Sequence, residues 1–140
     1  MNTYLEQAKD LLKARNLTCA ILGENTQYTS TQRGVAPLLN CYHNHLAQPH
    51  CCAADKVVGR AAAFLYQLLE VDVVYAEIIS RPALKVLEQA GIQAEYGKLV
   101  DAIINRTGTG FCPMESAVLL INDPLEALTA IEETLEKLRA

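Results

Sequence analysis

The chain has 140 residues, 51% of them hydrophobic and 20% charged, which is the balance of one globular domain that folds without a metal or disulfide staple. Twelve Lys and Arg against sixteen Asp and Glu leave a net charge of −4, so a dedicated nucleic-acid binder, which needs a basic footprint, is not expected. The longest apolar stretches, such as 61–66, fall far short of the ~20 residues that span a bilayer, and no membrane partner is expected either.

The start, Met1-Asn2-Thr3-Tyr4-Leu5-Glu6, has neither the basic nor the apolar region of a secretory signal. Thr3 and Glu6 form a capping box, and Tyr4, Ala8, Leu11 and Leu12 predict an amphipathic helix over 3–15 that Asn16 can end. Residues 17–30 read as a hairpin turning at Gly23-Glu24-Asn25. Leu38, Leu39, Tyr42, His45 and Leu46 predict a second helix over 35–46, with Pro37 in its first turn. Asp55 is a good N-cap for a third helix, 56–70, apolar around nearly its whole circumference and therefore the buried, central one. Residues 71–79 predict a buried strand. A helix capped by Ser80 and ended by Gly91 follows, then a strand over 92–96; together these make a parallel βαβ unit. Leu99, Val100, Ile103 and Ile104 have helical spacing over 98–105, and a Gly-containing loop follows at 106–110. Cys112-Pro113 opens a short helical turn, residues 118–121 are an apolar run of either type, and Asp123-Pro124 starts a last helix, 124–139. The order predicts a single α/β domain, a three-layer α/β/α sandwich around a mixed sheet.

Two segments stand out: Ala54-Asp55-Lys56-Val57-Val58-Gly59-Arg60-Ala61-Ala62-Ala63, and Asn105-Arg106 followed by Cys112-Pro113-Met114-Glu115. Together they resemble an uncharacterised prokaryotic family with a cytidine-deaminase-like fold. The resemblance covers nearly the whole chain. It implies that fold and a cleft at the N-terminus of the central helix, but no reaction. Zinc deaminases take their metal ligands from His/Cys-x-Glu and Pro-Cys-x-x-Cys at two helix starts. Here those places read Val58-Gly59-Arg60-Ala61-Ala62 and Ser80-Arg81-Pro82-Ala83, with no thiolate or imidazole, so zinc deamination is not expected.

Five groups of residues are candidates. Lys56 and Arg60, i and i+4 on the expected helix, with Gly59 between them, would make an anion site at a helix start; an Asp N-cap with two solvated cations explains the same residues. Cys112 at the start of a helical turn could be a nucleophile or redox-sensitive thiol with Glu115 as general base, or a small buried residue followed by a capping carboxylate. Asp55 could itself be the reacting carboxylate. Asn105 and Arg106 could reach a phosphate or carboxylate, or only satisfy helix carbonyls. Cys41, His43, His45, His50, Cys51 and Cys52 form a dense cluster that matches no standard zinc spacing; a metal site is the lesser reading.

The leading expectation is a deaminase-fold protein without the zinc site, binding a nucleotide or nucleotide-derived ligand through Lys56, Gly59, Arg60, Asn105 and Arg106. Asp55, Cys112 and Glu115 are the catalytic candidates, and no cofactor or metal is called for. The alternatives are a non-catalytic regulatory or interaction module, or a metal or redox sensor built on the 41–52 cluster. A homodimer is left open. An odd number of unevenly spread cysteines, Cys19, Cys41, Cys51, Cys52 and Cys112, suits a cytoplasmic protein better than a disulfide framework.

Overall fold

Helix α1 (Thr3–Ala14) opens the chain, and it buries Leu5, Ala8 and Leu12 while Tyr4 stays exposed, so its apolar stripe is rotated by about one residue from the predicted one. Asn16 follows at φ 50°, a left-handed conformation that Asn tolerates at a helix end. The computed structural model describes residues 3–104, Gly108, Gly110 and residues 112–139.

Strands β1 (Cys19–Gly23) and β2 (Thr26–Ser30) form the expected hairpin, with Gly23 opposite Thr26 across a two-residue turn. Helix α2 (Ala36–His43) comes next, then β3 (Cys52–Val58), α3 (Arg60–Leu68), β4 (Val73–Ser80), α4 (Arg81–Gln89), β5 (Gln93–Val100), α5 (Pro113–Ala117) and α6 (Pro124–Arg139). The sheet order is β2-β1-β3-β4-β5. β1 runs antiparallel to both neighbours, whereas β3, β4 and β5 are parallel. α1 covers one face, packing on β1 and β3; on the other face α3 packs against α2, α4, α5 and α6. The fold is therefore a three-layer α/β/α sandwich on a mixed sheet. No helix among the described residues is long and apolar enough to cross a membrane.

α3 is the central helix. Six of its nine residues, Ala61 to Tyr66, are buried, as its apolar circumference predicts. Its start is not where the N-cap reading puts it. Residues 52–58 form β3, so Asp55 and Lys56 are strand residues and Gly59 is the N-cap. The reason is tertiary: Ala54 pairs with Ala20 on one side and Tyr75 on the other, and a strand bonded on both edges outweighs a local capping signal. The predicted helix over 98–105 is also overturned. Lys98, Leu99 and Val100 pair with Ile78, Ile79 and Ser80 and finish β5, so ladder hydrogen bonds prevail over helical spacing. Ser80 caps α4 as expected, accepting from the Ala83 N–H, and Asp123 caps α6 through the N–H groups of Leu125 and Glu126.

Candidate functional site

Asp55 sits midway along β3, on the face that meets α3. The Tyr66 hydroxyl donates to its Oδ2 at 2.6 Å, and the Val57 N–H donates to Oδ1 at 3.2 Å. Cys19 Sγ lies 3.5 Å from the same hydroxyl oxygen. The phenol has one proton and gives it to Asp55, so the Cys19 thiol is the donor to the phenol oxygen. A directed chain, Cys19 to Tyr66 to Asp55, thus ends on a carboxyl. Burial lifts that carboxyl from its ordinary 3.8 to about 7, against the opposing pull of Tyr66 and of the Val57 and Lys56 N–H groups. Burial likewise pushes the Cys19 thiol and the Tyr66 phenol well up.

This raised value makes a stability prediction. The folded state holds the Asp55 proton more tightly than the unfolded chain does, so the stabilising contribution is full below about 4 and is lost as pH rises through about 7. The slope from this one group is at most about 1.4 kcal/mol per pH unit. Urea denaturation of wild type at pH values across that window should therefore show falling stability. Asp55→Asn should remove that part of the slope, and an unchanged slope in the variant would place the titration elsewhere.

A cavity of about 350 Å³ opens beside Asp55. It lies between the antiparallel strands β1 and β3, beside the carboxyl end of β3 and the amino end of β1. Val35, Pro37, Val57, Ala62, Ile103 and Met114 give it mostly apolar walls. Cys19 and Asp55 supply its polar side, and Arg33, an exposed residue of the β2–α2 loop, stands at its mouth.

Glu115, on α5, reaches the start of α3. Its Oε1 accepts from the Arg60 N–H at 2.5 Å and its Oε2 from the Ala61 N–H at 2.9 Å. A carboxylate of the chain itself therefore fills the anion site that the sequence offers to a ligand. Gly59 makes room for it: a Cβ there would stand 2.5 Å from the Glu115 carboxyl carbon. Both candidates are thus brought together, but as a helix cap rather than as a ligand site and a free general base.

The two cations separate. Lys56 projects to the opposite face of the sheet and donates to Asn16 Oδ1 at 3.0 Å, just past the end of α1. Arg60 turns away from the cavity, donating from Nε to the Val118 carbonyl at 3.1 Å and from its terminal nitrogen to the Ile121 carbonyl and to Asn122 Oδ1. Its guanidinium also lies over the Phe64 ring, 5.0 Å from the centroid. The i, i+4 cation pair is therefore corrected: Lys56 belongs to a strand and Arg60 to a helix. Cys112, half-buried, lines the cavity from the N-cap of α5, and its N–H donates to the Ile103 carbonyl at 3.1 Å. No His lines the cavity among the described residues, so Cys112 has no imidazole base there. Asn105 and Arg106 lie outside the described residues.

The 41–52 cluster does not converge. Cys41, Cys51 and Cys52 are buried, whereas His43 faces Glu132 at 2.6 Å and His50 faces Asp72 at 2.8 Å on the surface. His45, expected on the apolar face, is exposed at φ 52°. Among the described residues no group of three or more His, Cys, Asp or Glu is placed to hold a metal ion. All five cysteines are free thiols. The start of α3 carries Gly59, Arg60 and Ala61 and that of α4 carries Arg81, Pro82 and Ala83, so neither offers a zinc ligand.

Sequence reasoning missed Cys19, Tyr66 and Arg33. Tyr66 did carry a signal: a phenol ending the otherwise apolar, buried run from Ala61 needs a polar partner, and the nearest strand supplies Asp55.

Together these features define an α/β sandwich with a ligand-sized cavity between β1 and β3 and a perturbed carboxyl on the cavity wall. The chain belongs to the DUF1893 family, described as a domain of unknown function, which it matches over residues 7–135. It is similar to the crystal structure of a DUF1893 family protein (TM1506) from Thermotoga maritima, solved at 2.70 Å, with a TM-score of 0.85 and 26% identity over 98% of this chain and 91% of that one. No curated protein sequence matches it significantly.

Proposed function

We propose that this chain binds a small nucleotide-derived molecule in the cavity beside Asp55. The observation that carries the reading is a half-buried, readily protonated carboxyl facing a cavity of about 350 Å³, a size within the range of small-molecule sites. The apolar walls suit the faces of a flat ring, and Asp55 can accept from or donate to the ring's polar edge. We also read the fold as cytidine-deaminase-like. The element order and a cleft beside the start of the central helix support that reading, and a zinc-free ligand site follows from the side chains at the two helix starts. The test is calorimetry with adenosine, cytidine and their 5′-monophosphates. Saturable binding to wild type, lost in the cavity-filling variant Ala62→Met, supports the site; heat that does not saturate, or that survives Ala62→Met, refutes it.

A second reading, an interaction module, draws on one observation. Leu119, Leu120 and Leu125 are 60%, 89% and 58% exposed around the α5–α6 connection. Light scattering would decide it: a dimer that Leu120→Glu converts to monomer supports association through this patch, and a wild-type monomer at all concentrations rejects it.

A further inference from the structure

We infer that Arg33 takes an anionic group of the cavity's ligand, a phosphate or a carboxylate, and so selects charged over neutral ligands; this rests on the binding reading above. The sequence places the anion site at the start of α3, but Glu115 fills that place, Arg60 turns to the Val118 carbonyl, and Lys56, although it too borders the cavity, directs its ammonium to Asn16 Oδ1. Arg33 is different. It lines the same cavity as Asp55, is exposed at the mouth, and its guanidinium has no carboxylate partner among the described residues. Gly34, at φ 64°, turns the chain directly after it, a conformation that favours glycine, and delivers it into Val35 and Pro37, which line the cavity too.

The cavity therefore has ends of unlike character. Cys19 and Asp55, backed by the buried Tyr66 hydroxyl, make a polar wall at the sheet, and a planar guanidinium fork stands at the opening. A molecule with a polar ring edge and a negatively charged tail matches both ends. Glu115 also borders this space, but its two oxygens receive the Arg60 and Ala61 N–H groups, which offset its charge at the helix start. An anion at the mouth would replace water around Arg33, which has no carboxylate partner among the described residues, with two parallel N–H donors available to it.

The experiment compares adenosine, adenosine 5′-monophosphate and adenosine 5′-carboxylate, and the cytidine counterparts, on wild type and on Arg33→Gln. Arg33 lies on an exposed loop, so the variant should fold normally, and its denaturation midpoint checks this. In wild type the charged ligands should bind about tenfold or more tightly than the nucleoside, with the advantage shrinking as salt is raised. Arg33→Gln should abolish most of that advantage and leave nucleoside affinity unchanged. The relative gain of monophosphate and carboxylate tells which anion the site prefers. If nucleosides bind but charge gives no advantage, or the advantage survives in Arg33→Gln, Arg33 is not the selector and the cavity reading stands. If no nucleoside or nucleotide binds, the cavity reading fails and the role of Arg33 with it.

Discussion

Ala63→Asp is expected to cost about 4 kcal/mol and to leave little soluble protein. Ala63 is fully buried on α3, within the main core cluster formed with Ile21, Leu65 and Val74. It does not line the cavity, unlike its neighbours Ala61 and Ala62. An aspartate at 63 would thus enter packed apolar surroundings and must either ionise unpaired or stay protonated at a large cost. Total stability of domains this size is roughly 5–15 kcal/mol, so the loss is a large fraction of it. Urea denaturation of whatever soluble protein remains is the check. A midpoint near wild type would mean that α3 is not the helix at the centre of the fold.

Gly59→Ala should cost about 2 kcal/mol, and for an unusual reason. Gly59 has φ −96°, so alanine meets no backbone strain there. The conflict is with Glu115, whose carboxyl atoms stand 2.5–2.7 Å from the new methyl carbon. That side chain can swing aside, but it then gives up the N–H groups of Arg60 and Ala61 and leaves the start of α3 uncapped. Glu115→Ala should destabilise by a similar amount. The decisive measurement is the double variant. If the methyl acts by displacing the carboxylate, Gly59→Ala adds almost nothing once Glu115 is gone. Additive losses would show that Gly59 packs against something else.

The elements most legible in the sequence were those whose signals are local. Ser80, Pro82 and Gly91 mark the ends of α4 through chemistry that acts over three or four residues, and Asp123 does the same for α6. Strand β3 was not legible, because its identity depends on two neighbours distant in sequence: β1 bonds one edge and β4 the other. Lys98 to Val100 failed likewise, since leucine and valine two and three residues after Gly97 suit either period until β4 is in place. At the site, Asp55, Gly59, Cys112 and Glu115 were all nominated, and all border one cavity. Their roles were not readable. Glu115 caps a helix 54 residues earlier in the chain, and spacing carries no trace of such a contact. Arg33 escaped notice because a lone arginine before a glycine has no motif; only the cavity gives it a neighbour.

Arg60 is held at both its ends by the same stretch of chain: its amide N–H donates to the Glu115 carboxylate, and its guanidinium donates to the carbonyls of Val118 and Ile121. The amide protons of Arg60 and Ala61 are consequently sheltered by a partner that arrives from the last quarter of the protein, rather than by a preceding helical turn. Their exchange with deuterated solvent should follow the opening of the segment around α5, and not fraying of α3. Those two amides are thus a built-in clock for how often one wall of the cavity comes away from the sheet.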